Sequence, residues 1–139
     1  MKLVKLIEFP FFEENDGNLT VFEEGAYSIP FLIKRVFHVS SRKGSVRGNH
    51  AHIKCSQLLI CSSGAIEVKC DDFFSKKNYI LDRPNLGLLL LPGVWANETY
   101  LKDNTNLTVI CDRLYEKDDY INNYSDFKVF AQSLKGGNN

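Results

Sequence analysis

The chain has 139 residues, 44% of them hydrophobic, with 17 lysines and arginines against 17 aspartates and glutamates. That length supports one well-formed core, and that apolar fraction argues against disorder. Balanced charge leaves no global basic field to draw in nucleic acid, so partners must be argued from local clusters.

The opening run "MKLVKLIEFP" is interrupted by Lys5 and Glu8. It does not read as a signal peptide, and nothing later is long enough to span a bilayer, so a cytoplasmic protein with no membrane partner is expected. Short β-rich runs then recur with turn signals between them. "LVKLIE" (3–8) and "LIKRVFHV" (32–39) come first, separated by the polar "EENDGN". "QLLICS" (57–62) and "AIEVKC" (65–70) follow, and Ser63-Gly64 between them predicts a hairpin. "NYIL" (78–81), "LGLLLL" (86–91) and "NLTVIC" (106–111) complete the series. Many short strands at this spacing predict an all-β sandwich or barrel. One C-terminal helix is predicted, capped by Ser125, with Phe127, Phe130, Ala131 and Leu134 on one face. A single domain over 1–135 is expected, with a frayed tail at 136–139. Cys55, Cys61, Cys70 and Cys111 show no C-x-x-C spacing and read as small buried hydrophobes in a reducing compartment. The N-x-[ST] matches at Asn18, Asn97, Asn106 and Asn123 carry no weight without secretion.

The informative spacing surrounds "RGNHAHIKCSQ". Gly44 is followed by five residues and then His50-Ala51-His52; four more lead to Gln57 and six more to Gly64. This resembles the first motif of the cupins, small β-barrels of jelly-roll type, which implies an all-β jelly-roll barrel with a short C-terminal helix. In a strand, residues i and i+2 share a face, so His50 and His52 project together. A metal needs about three or four ligands at once. Gln57, a poor ligand, stands where the cupin pattern has glutamate, and "LLPGVWANE" holds no histidine, so no metal and no cofactor is expected. The remaining use of the pair, beyond two hydrogen-bonded core histidines, is proton transfer, because imidazole titrates near pH ~6.5.

Three further residues are candidates for holding a substrate. Arg35 shares its face with Ile33, Phe37 and Val39, so it either points into the barrel toward an anion or belongs to a strand polar on both faces. Arg47 lies opposite the histidines by simple alternation, unless Gly48 marks a bulge that redirects it. Trp95 follows a Pro-Gly turn and is either core or a stacking platform at the barrel mouth.

"IPFLIKRVFHV", "RGNHAHIKCSQLLICSSGAIEV", "LLLLPGVWANE" and "LYEKDDYINNYSDFKVF" together resemble the dTDP-sugar 3,4-ketoisomerases. The resemblance implies a metal-free isomerase that moves the ketone of dTDP-4-keto-6-deoxyglucose from carbon 4 to carbon 3, giving a dTDP-3-keto-6-deoxyhexose for surface-glycan sugars. It maps the family's histidine pair onto His50 and His52, its strand arginine onto Arg35 and its "RG" arginine onto Arg47; Gln57, in the vacated ligand position, is expected to hydrogen-bond the sugar or orient a histidine. It also implies a homodimer with exchanged N-terminal strands. The family often has tyrosine at Phe37 and histidine at Ala96, so two polar groups near the pocket are replaced here. The alternatives are a non-catalytic cupin that binds a nucleotide sugar, a cupin-type nucleotide-sugar epimerase, and a metal-dependent cupin oxygenase. The epimerases place a histidine beside an aspartate, and no such partner stands out in the sequence.

Overall fold

A computed structural model describes residues 1–25 and 28–136. Eleven strands precede a single 3-10 turn at Lys117–Asp119: β1 (Val4–Glu8), β2 (Phe11–Glu14), β3 (Gly17–Thr20), β4 (Arg35–Ser41), β5 (Val46–His52), β6 (Gln57–Ser63), β7 (Ile66–Asp71), β8 (Lys76–Leu81), β9 (Leu86–Leu90), β10 (Trp95–Tyr100) and β11 (Thr105–Cys111). The short β12 (Tyr120–Ile121) and helix α1 (Tyr124–Gly136) close the chain. Two five-stranded antiparallel sheets, β1-β9-β6-β11-β4 and β12-β5-β10-β7-β8, face one another in the expected jelly-roll arrangement. No helix among the described residues is long and apolar enough to cross a membrane.

Alternation sorts the side chains into three buried groups. Between the sheets lie Leu59, Cys61, Val68, Leu88, Val109 and Tyr100, among others. Outside the first sheet, Leu58, Ile60, Leu89 and Ile110 are covered by Phe9, Phe22 and Ile29. β6 and β9 are therefore buried on both faces, which is why "QLLIC" and "LGLLL" read as unbroken apolar runs. Each fully buried leucine or isoleucine there contributes about 1.5–3 kcal/mol. Outside the second sheet, α1 seats Phe127 and Ala131 on Ala51 and Ile121, with Trp95 and Tyr124 packed beside them.

The structure departs from sequence expectation in four places. Ser63-Gly64 does not close a hairpin, because β6 lies in the first sheet and β7 in the second. Gly64 has φ +83° and packs so tightly that a Cβ would lie 2.8 Å from Thr105 Cα, so it turns the chain from one sheet to the other. "EENDGN" is not a linker but the tip of the β2–β3 hairpin, with Glu14 paired to Gly17. The helix cap is Asn123, whose Oδ1 accepts from the backbone N–H of Ser125 (2.8 Å) and Asp126 (3.2 Å), a contribution of about 1 kcal/mol; Ser125 lies inside the helix. On the predicted apolar face Phe127 and Ala131 are buried, whereas Leu134 is exposed. The helix runs to Gly136, and the rest of the expected tail lies outside the described residues.

Candidate active site

β5 carries the histidines and β10 lies beside it. Ala96 pairs with His50, but the next residue, Asn97, pairs with Gly48, so Asn49 is an extra residue in β5. Gly48 (φ +87°) and Asn49 (φ +61°) are both left-handed, the signature of a bulge. Residues paired across an antiparallel ladder share a face. Beyond the bulge Glu98 pairs with Arg47, so Arg47 is turned onto the same face as the histidines rather than away from them. Its side chain remains exposed.

A narrow cleft with free space of about 10 Å³ opens between the sheets at this point. His50, His52, Cys55, Gln57 and Glu98 supply its polar lining, and Leu90, Leu91, Val94 and Ala96 its apolar wall. The imidazoles of His50 and His52 sit edge to face, ring centres 5.1 Å apart, and the Tyr120 ring contacts both at 5.2 and 4.5 Å.

His52 is buried, and its Nδ1 lies 2.9 Å from Asp119 Oδ2. The same carboxylate accepts the backbone N–H of Lys54 (2.6 Å) and Cys55 (3.2 Å), so it is locked in place. Burial lowers the His52 pKa, against the raising effect of Asp119, and keeps the ring neutral. A neutral ring that donates from Nδ1 leaves its lone pair on Nε2, and Nε2 is buried without a protein partner. His50 is lowered too, first by burial and then by the neighbouring His52, while a hydrogen bond to the Gly48 backbone opposes the shift. His52 thus has one nitrogen held by a partner and the other free to accept a proton, and His50 lines the same cleft.

Gln57 shares the cleft and donates from Nε2 to Cys111 Sγ at 3.6 Å. Arg35 points into the barrel, as one of its two readings required, but its partner is not a carboxylate. Its Nη2 lies 3.6 Å from the same Cys111 sulfur, and its guanidinium stacks on Phe37 and Tyr115. Hydrogen bonds from Cys55, Arg35 and Gln57 hold the Cys111 thiol below its usual range against the effect of burial. All four cysteines are free and buried, as expected. Trp95 is not at the cleft. It packs against Tyr124 (5.3 Å) and Phe127 (5.7 Å) on the other face of β10, because it lies one residue out of phase with Ala96. There it lines a separate open pocket with Asp71, Lys76, Asn78 and Tyr124.

His52, Cys55 and Asp119 place one ligand atom each within 4.8 Å of one another, among the described residues. As a metal site the set fits poorly. Asp119 is already committed to His52 and two backbone N–H groups, and burial together with the Cys111 hydrogen bond pushes the Cys55 thiol strongly up, so it stays protonated.

Residues 2–132 match the model of the family described as FdtA: WxcM-like, C-terminal. The chain belongs to that family. One FdtA-family relative is the TDP-4-oxo-6-deoxy-alpha-D-glucose-3,4-oxoisomerase of Aneurinibacillus thermoaerophilus, 35% identical over 131 residues that cover 94% of each chain. Among solved structures, this FdtA-family chain is similar to QdtA, a sugar 3,4-ketoisomerase from Thermoanaerobacterium thermosaccharolyticum in complex with TDP. The TM-score is 0.89 at 33% identity, over 95% of this chain and 96% of that one. A histidine-to-asparagine mutant of QdtA in complex with TDP-4-keto-6-deoxyglucose gives 0.90 at 32%, over 96% of both.

Sequence reasoning missed Asp119, Tyr120 and Glu98. The His52–Asp119 pair, not evident in the sequence, spans 67 positions and has no local pattern to announce it.

Proposed function

We propose that this protein is a nucleotide-sugar 3,4-ketoisomerase that converts dTDP-4-keto-6-deoxyglucose to a dTDP-3-keto-6-deoxyhexose without a metal. One observation carries the proposal: two histidines whose pKa values are lowered by burial line one cleft, and one of them is hydrogen-bonded to a buried aspartate with its other nitrogen unpartnered. The relatives' named substrates and ligands, TDP and TDP-4-keto-6-deoxyglucose, support the choice of sugar.

The chemistry follows from the geometry. A base removes the proton on carbon 3, which is acidified by the neighbouring ketone, and an enediolate forms. His50, less buried than His52, is the base. His52 is the better carrier of a positive charge, since Asp119 stabilises its imidazolium, and it returns a proton to carbon 4. We place the sugar at the mouth of this narrow cleft, with the nucleotide outside it. Arg47, exposed on the histidine face, and Arg35 provide guanidinium groups for the diphosphate. Gln57 orients the sugar.

Among the described residues the β2–β3 hairpin pairs with no other strand, and it exposes Phe11, Phe12 and Leu19. A two-stranded hairpin is marginal alone, so we assign it to a homodimer with exchanged N-terminal strands. Four reduced, buried cysteines suit the cytoplasm.

The His52–Asp119 pair also gives substance to the alternative of a cupin-type epimerase, which would abstract a proton and return it without moving the ketone. Conversion decides between them. Chelator-treated protein incubated with dTDP-4-keto-6-deoxyglucose is expected to shift the ketone carbon resonance from position 4 to position 3. An unchanged sugar would remove the enzyme assignment, and activity abolished by chelator and restored by a divalent cation would refute the metal-free mechanism.

A further inference from the structure

We propose that Glu98 is a third catalytic group of the cleft, a carboxyl that carries a proton from oxygen 3 to oxygen 4 of the sugar while the histidines handle the carbon-bound protons. The assignment rests on the ketoisomerase proposal and fills a step that the histidine pair leaves open.

The placement is built into β5. Glu98 shares the inward face of β10 with Ala96, and its partly buried side chain lines the same cleft as His50 and His52. The bulge makes the space. A Cβ on Gly48 would lie 2.6 Å from Glu98 Oε2 and 3.0 Å from the Ala96 carbonyl oxygen, so only glycine at 48 admits the carboxyl there. The other polar groups are less suited to relay a proton between two sugar oxygens. Gln57 donates to Cys111, the Cys55 thiol to the Ser56 carbonyl, His52 Nδ1 to Asp119, and His50 holds the Gly48 backbone. What the histidines offer the cleft are lone pairs, which accept. Glu98 is the carboxyl among the cleft-lining side chains.

Its protonation suits the task. Burial pushes the carboxyl up to about 7, and a hydrogen bond with its own backbone, followed by Arg47 across the β5–β10 ladder, only partly offsets this. The titratable groups around it are Arg47, His50 and His52 on β5, Cys70 on β7 and Tyr100 on β10. A carboxylic acid kept neutral near pH 7 both donates a proton and accepts one.

The step balances. His50 takes the carbon 3 proton, the C3–C4 double bond forms, and oxygen 4 receives the Glu98 proton as its charge develops. The Glu98 carboxylate then takes the proton from the oxygen 3 hydroxyl. The proton on His50 passes to His52 and from there to carbon 4, while oxygen 3 becomes the ketone. Every protein group ends as it began, with no oxidant or co-reactant.

The test is Glu98→Gln, which keeps the shape and a donor but cannot relay a proton. In deuterated water, ketone migration is expected to fall on the order of a hundredfold, while exchange of the carbon 3 proton in unreacted sugar falls no more than about threefold. In the unmodified protein kcat is expected to decline above about pH 7, where Glu98 ionises, and this limb disappears in the variant. Migration at the normal rate in Glu98→Gln, or equal loss of exchange and migration, would overturn the assignment. So would an unmodified protein with no alkaline limb, a measurement that stands if the variant does not fold. A wild-type protein that does not move the ketone at all would instead overturn the ketoisomerase proposal.

Discussion

His50→Asn is expected to lower turnover at least about a thousandfold while dTDP binding stays within about threefold of normal. Asparagine is close to imidazole in size and hydrogen-bonding capacity, so the half-buried site on β5 keeps its packing and its contact with the Gly48 backbone. What is lost is the lone pair that takes the carbon 3 proton. His52 does not replace it, because its Nε2 is more deeply placed and its role is to return a proton. Binding is measured by calorimetry with dTDP and turnover by the NMR conversion assay. A variant that keeps normal turnover would exclude His50 as the base, and one that loses dTDP binding to the same degree would make its role structural.

Asp119→Asn is expected to have the next largest effect, a fall in kcat on the order of 10²- to 10⁴-fold, with KM changed little. The aspartate accepts three hydrogen bonds, from His52 Nδ1 and the backbone N–H groups of Lys54 and Cys55. An asparagine oxygen satisfies the shortest, to Lys54, and the amide nitrogen is then left facing His52 and Cys55. Two donors in contact repel, so His52 shifts its proton to Nε2 and the lone pair leaves the cleft. Replacing a carboxylate that accepts these bonds also destabilises the fold, by about 2 kcal/mol. Thermal unfolding separates that loss from the catalytic one. A folded Asp119→Asn protein with normal kcat would show that the tautomer of His52 does not matter to the reaction.

These two residues mark what was legible in the sequence. His50 and His52 stand two apart in a strand, so period-2 alternation alone places them on one face, and Gln57 follows on the next strand within the same short motif. Ligand counting on those residues then pointed to proton transfer. Most strands were readable for the same reason of local pattern. Asp119 was not, because its contact with His52 is a tertiary fact fixed by where β12 pairs with β5. Glu98 was hidden by the bulge. Without knowing that Asn49 is extra, neither the redirection of Arg47 nor its pairing with Glu98 can be derived. Ser63-Gly64 has the chemistry of a hairpin turn, yet burial of β6 on both faces decided its neighbours, β9 and β11, and sent β7 to the other sheet. Trp95 lies away from the histidine cleft for a similar reason: it sits on the outer face of β10, packed beside the residues that seat α1.

The most direct measurement is made in deuterated water, with purified protein and dTDP-4-keto-6-deoxyglucose followed by proton NMR. The N–H groups of His50 and His52 exchange with solvent, so deuterium is predicted at carbon 4 of a product whose ketone is at carbon 3. Deuterium at carbon 3 or carbon 5 with no 3-keto product formed would contradict it, and would turn the same histidine and aspartate pair to epimerisation.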